Sequence, residues 1–301
     1  MADEIVSIES DVQRLELAPR MGGAVTSWNW LAHGGNMPLF RPWNGASPDR
    51  YSFACFPLVP WTNRITDGGF EHEGRFHAVQ ANREGEPYPI HGDGWLQEWE
   101  VLEKGDDRVR LGLESNRHGG NPYHYRSTQS FLLLPDGLQI DLTVTNLGQE
   151  SLPFGLGLHP YFVRNTHTLL CARAEGVWLS RPDAIPVEHS TRLPPGWDYN
   201  APAPLAGEMV DNCFTGWDGK ALVDYPDRGV AVRMIMPDCN GYNLLYRPPG
   251  LDFFCFEPIT HPINAFHMPG QPGLAVLAHG ESLALRAKFL VGPSPAGAED
   301  R

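Results

Sequence analysis

Glu257 stands directly after FFCF, so a carboxylate ends a run of residues that belong in a core. Burying a lone carboxylate costs several kcal/mol or raises its pKa. A raised pKa is what a general base near neutral pH needs. The structural alternative is a buried glutamate paired with an arginine. In FGLGLHPYF, residues 154–162, His159 ends an apolar stretch that reads as a buried strand, and Pro160 ends its pairing. Glycine inside a strand often marks the close approach of a ligand or another backbone, so Gly155 and Gly157 leave space beside the imidazole. The alternative is a core histidine bonded to a carbonyl. In TNRITDGGF, residues 62–70, Asn63 and Arg64 follow the apolar run FACFPLVPW. A guanidinium there offers five donors to a neutral polar ligand, or is a surface arginine at a strand end. In PIHGDGWLQEW, residues 89–99, His91 lies on a glycine-rich loop near Trp95 and Trp99. Aromatic faces beside polar donors suit a sugar ring; the alternative is a turn histidine satisfied by the backbone.

The elements that must position these groups read as strands. In LQIDLTVT, residues 138–145, Leu138, Ile140, Leu142 and Val144 alternate with polar residues, the period of a half-buried strand. Pro135-Asp136-Gly137 is a turn, and Phe131 to Leu134 is the hairpin partner. The same unit recurs around Gly105-Asp106-Asp107, around Pro226-Asp227 and around His279-Gly280, and two strands flank Gly22-Gly23. No long segment has helical period, and 32 Gly with 28 Pro punctuate the chain. The expectation is an all-β fold, a large antiparallel β-sandwich. One domain over residues 1–301 is expected, with a disordered tail from about 294. The Pro-rich stretch 192–210 reads as a long surface loop rather than a boundary.

A formal charge of −13 argues against binding a phosphate backbone, so no nucleic-acid partner is expected. No apolar run approaches the ~20 residues of a membrane span, and the first residues lack a signal-peptide core. Five cysteines, an odd number without CxxC, suit a reduced, cytoplasmic protein. P-loop, dinucleotide, HExxH and GxSxG motifs are missing. The 12 histidines show no tight ligand spacing, and Pro258 and Pro262 keep Glu257 and His261 from forming a helical ligand pair. Neither a metal nor a cofactor is expected.

In order, the chain carries NRI with a following Gly-Phe, HG on a loop, HPYF, VDNCF at 210–214, then EP and P-x-x-AF. This ordered set resembles the aldose 1-epimerase (galactose mutarotase) family. The resemblance implies a galactose-mutarotase-like supersandwich with an open cleft and no cofactor. It implies interconversion of the α and β anomers of a free aldose. Glu257 is then the base at the anomeric hydroxyl. His159 is the acid at the ring oxygen, charged with the help of a nearby carboxylate, and the flanking glycines make room for the sugar. Arg64, His91 and Asp211 match positions that bind substrate hydroxyls, and Asn63 contacts sugar or supports Arg64. Asp93, His261 and Ile263 depart from the family pattern and bear on substrate identity. The rivals are a hexose-6-phosphate 1-epimerase, which needs more basic residues than Arg64 and Arg83, and a non-catalytic sugar-binding protein, which needs no Glu257–His159 pair. A hydrolase using Cys255 or Cys213 ranks below both.

Overall fold

The computed structural model describes residues 5–31, 35–47, 49–239 and 241–296. Its regular elements there are strands, with only short 3-10 turns between them. The largest sheet has nine antiparallel strands. Its middle is built from His124–Leu134, Gly137–Asn146, Ser282–Pro293 and Val230–Ile235. The expected alternation holds: Leu138, Ile140, Leu142 and Val144 are fully buried. A second sheet of eight strands is centred on Val210–Thr215, Tyr242–Arg247 and Phe253–Ile259. The two sheets meet through one apolar core in which Phe289 of the first packs on Phe162 beside the second, ring centroids 6.2 Å apart. The fold is therefore the antiparallel β-sandwich expected.

Alternation in Phe253–Ile259 decides where chemistry is possible. Phe254 and Phe256 join the main core. Cys255 and Ile259 point the other way, into a second apolar cluster, and Glu257 shares their face by period 2. Register carries this face sideways: Leu244 lies opposite Glu257, and Tyr246 lies opposite Asp211.

Three local expectations change. Ala275–Leu277 does not pair with Ser282–Pro293 across His279-Gly280. It pairs with Leu152–Phe154, because both edges of Ser282–Pro293 are already taken. FGLGLHPYF is not one strand. It contributes the end of Leu152–Phe154, then Gly157–Leu158, then Tyr161–Val163, and pairing resumes after Pro160. Ser294, placed in the expected tail, is buried, and its N–H donates to the Gly229 carbonyl at 3.1 Å; residues 297–301 lie outside the described residues.

Candidate active site

Glu257 is 1% exposed on the strand face just described. His159 reaches it from the end of Gly157–Leu158, whose register with Leu58 and Ile259 fixes the backbone. The His159 N–H donates to the Phe56 carbonyl at 3.0 Å. Its ring is sandwiched between Phe56 and Tyr161, with centroids 4.6 and 4.8 Å away. His159 Nε2 then lies 3.3 Å from Glu257 Oε1. Burial, reinforced by the negative Asp211, holds the Glu257 carboxyl well above its usual range against the pull of Arg64. Burial also pushes His159 down to about 3. Burial therefore works against the charged His159 that was expected. Both shifts run against charge: burial favours the neutral carboxyl and the neutral imidazole. Glu257 Oε2 is buried and meets no hydrogen-bond partner among the described residues.

Asn63 and His91 both adopt left-handed backbone, φ 53° and 62°, which non-glycine residues hold only when their surroundings impose it. Here the two are locked together. The Asn63 N–H donates to His91 Nδ1 at 3.1 Å, and the His91 N–H donates to the Asn63 carbonyl at 3.0 Å. With Nδ1 accepting, the ring proton sits on Nε2. Burial keeps His91 neutral, well below the ordinary histidine range. Asn63 Oδ1 accepts from Arg64 N and Nη1 at 3.0 and 3.3 Å, so Asn63 supports Arg64. Glu86 grips the guanidinium from the other side, at 3.1 Å from Nε and 3.0 Å from Nη2. Asp211 Oδ2 stands 3.9 Å from Nη1. Burial raises the Asp211 carboxyl and Arg64 opposes the rise.

All six residues singled out in the sequence, Asn63, Arg64, His91, His159, Asp211 and Glu257, line one cleft of about 390 Å³. That volume is within the range of small-molecule sites. Tyr51, Glu86, Tyr161, Tyr246 and Phe253 also line it and were not picked out; Arg83, noted in the sequence only as a nearby basic residue, lines it too. Tyr161 stands inside the quoted HPYF motif and Phe253 inside FFCF. Tyr51 and Glu86 sit in loops where no periodicity marks them.

Two expectations about the walls are overturned. Trp95 and Trp99 are not cleft faces: both are 2% exposed, and their indole N–H groups donate to the carbonyls of Gly92 and Gly94. The glycines do not make room for a ligand. A Cβ on Gly155 would stand 2.0 Å from Cδ2 of His261, and one on Gly157 would meet Ile259 and Thr62 at 2.9 Å. They admit protein. His261 fills the space, accepts the Thr62 N–H at 3.0 Å and donates from Nδ1 to the Pro262 carbonyl at 2.9 Å. Asp93, another of the three departures, is a buried anchor for Tyr125, Asn121 and Ser115.

Comparison with known proteins agrees with the fold. A family model described as aldose 1-epimerase matches residues 6–289. The Escherichia coli K12 protein YphB, which carries the name uncharacterized protein, is 40% identical over 266 residues, 84% of this chain and 90% of its own. A solved structure from Escherichia coli K12, named provisionally as an aldose 1-epimerase, is 34% identical with a TM-score of 0.90, covering 96% of this chain and 99% of that one. A galactose mutarotase-like protein from Clostridium acetobutylicum has a TM-score of 0.85 over 96% of this chain and 95% of its own; at 18% identity that likeness is one of fold.

Proposed function

The chain belongs to the aldose 1-epimerase family, and on that premise we propose that it interconverts the α and β anomers of a free aldose by acid–base ring opening and closure. The observation that carries this reading is the 3.3 Å approach of Glu257 to His159 on the floor of a cleft whose other polar groups are Arg64, His91 and Asp211. The anomeric hydroxyl oxygen and the ring oxygen share one carbon, so two catalytic atoms this close match the two oxygens that exchange protons.

The proton balance follows from burial. Sugar hydroxyls donating to Glu257, with Arg64 behind them, favour the carboxylate, and the pair's single proton passes to His159. Glu257 then takes the anomeric proton and His159 gives its proton to the ring oxygen as the C–O bond breaks. The products are an open-chain aldehyde, a protonated Glu257 and a neutral His159. That is the distribution burial favours. Rotation about C1–C2 and closure on the other carbonyl face reverse the transfers. His91, neutral with its proton on Nε2, donates toward the ring oxygen, and Arg64 and Asp211 hold hydroxyls. The five cysteines are free, and among the described residues no helix is long and apolar enough to cross a membrane. Free thiols suit a reaction in the reducing cytoplasm.

The test is anomer exchange by NMR on glucose, galactose, arabinose, xylose and glucose 6-phosphate. Wild type should exchange at least one sugar faster than buffer, and Glu257→Gln should lose about 10²-fold or more, the usual scale of a positioned base. Line broadening that reports binding, with no acceleration for any sugar, would make the protein a non-catalytic binder and overturn the mechanism.

A further inference from the structure

We propose that Glu86, helped at the rim by Asp49, sets the charge of the substrate: it neutralises Arg64 inside the cleft and restricts the site to uncharged sugars. This rests on the epimerase reading and adds the residue that sets its substrate's charge.

The edge of a guanidinium that would fork a phosphate carries two parallel N–H groups. In Arg64 that edge, Nε and Nη2, is occupied by both oxygens of Glu86 at 3.1 and 3.0 Å. The remaining nitrogen, Nη1, faces Asn63 Oδ1 at 3.3 Å and Asp211 Oδ2 at 3.9 Å. The other guanidinium of the cleft is covered too. Arg83 lies over the Tyr51 ring, its Cζ 3.5 Å from the centroid, and its Nη1 and Nη2 reach Asp49 at 3.3 and 3.4 Å. The lining holds two arginines and no lysine against three carboxyl groups, Glu86, Asp211 and Glu257. Even with Glu257 protonated, a phosphate or sulfonate would meet no excess positive charge. It would also meet Glu86 across a mostly buried guanidinium, where charges are poorly screened. A neutral hydroxyl has no such conflict, because a guanidinium held by a carboxylate still presents an N–H.

Glu86→Gln keeps the shape and one acceptor and removes the charge. The readout is the ratio of kcat/KM for D-glucose 6-phosphate to that for D-glucose, by anomer exchange. Wild type should favour the free sugar, and the ratio should shift toward the phosphorylated sugar by about tenfold or more in the variant. Asp49→Asn, at an exposed rim position, should shift it the same way and less; it answers the question if Glu86→Gln does not fold. A wild type that prefers the phosphorylated sugar overturns the proposal. So does an unchanged ratio with both sugars falling together, which would mean that Glu86 only holds Arg64 in place. If wild type accelerates none of the five sugars, the epimerase reading fails separately. The charge rule is then read from the ratio of the two dissociation constants measured by ligand-observed NMR, which must move in the same direction.

Discussion

A proton held between two buried side chains makes activity depend on how many protons the pair carries, not on where one sits. Glu257 and His159 together need one. Adding a second requires protonating His159, which burial holds down to about 3. Removing the only one requires ionising a carboxyl that burial holds well above its usual range. The macroscopic steps belong to the pair. The expected pH profile of kcat/KM for anomer exchange, corrected for buffer, is therefore flat from about pH 7 down to about pH 5. His91, also neutral there, changes nothing. A tenfold fall across that range would mean that His159 titrates as an ordinary imidazole. Tyr51 gives a second residue-scale prediction. Its hydroxyl is buried on the cleft wall with no partner among the described residues. Tyr51→Phe should leave thermal stability unchanged or raised, since an unsatisfied buried hydroxyl costs free energy rather than supplying it. A lowered Tm would show that the hydroxyl bonds within the protein. His261 gives a third. Its folded pKa, pushed down to about 4 by burial, lies below the 6.5 of a free histidine. Its neutral form thus contributes stability that is complete above pH 6.5 and is lost as pH falls from 6.5 toward 4, up to about 3 kcal/mol. Tm of His261→Gln should be lower than wild type at neutral pH and should fall less over that window.

At the scale of elements, what the sequence discloses is periodicity. Leu138 to Val144 announced their strand, and FFCF followed by a carboxylate announced Glu257, because alternation says which side chains share a face. It does not say which strand lies beside which, so the partner of Ala275–Leu277 was beyond reach. Nor does it say what faces a glycine or an aromatic ring. Trp95 and Trp99 looked like sugar platforms and are core, and Gly155 looked like ligand space and is filled by His261. Glu86 was invisible because its partner Arg64 is 22 residues away, beyond the hairpin of Gly69–His72 and Arg75–Ala78. The glycine finding has a consequence that can be measured. A methyl group at residue 155 would collide with the His261 ring, whose Nε2 holds the Thr62 N–H next to Asn63. Gly155→Ala should cost about 1–3 kcal/mol, the usual scale of overpacking, and should lower kcat although residue 155 touches no sugar. If stability and kcat both match wild type, the glycine is not what seats His261.

At the scale of the whole molecule, the cleft draws on residues from Tyr51 to Glu257, and its supports reach further. The main core takes residues from Ile8 to Val291. Ser282–Pro293 bonds to Gly137–Asn146 on one side and Val230–Ile235 on the other, so the last strand stitches the middle of the chain to its later part. Two arginines tie the loops down. Arg247, 2% exposed, donates to the carbonyls of Gly196 and Glu208, and Arg164 donates to those of Leu205 and Pro248. The stretch 192–210 is thereby fastened by these side chains, and among the described residues none of it lines the cleft, whose wall begins with the next residue, Asp211. A fold with one shared core and no separable cleft should unfold as one domain. Heat or urea should give one transition, with far-UV circular dichroism, tryptophan fluorescence and loss of sugar exchange coinciding. Loss of sugar exchange ahead of a second, later transition would mean that the cleft sheet melts while the nine-stranded sheet persists, and the chain would then be two folding units in one.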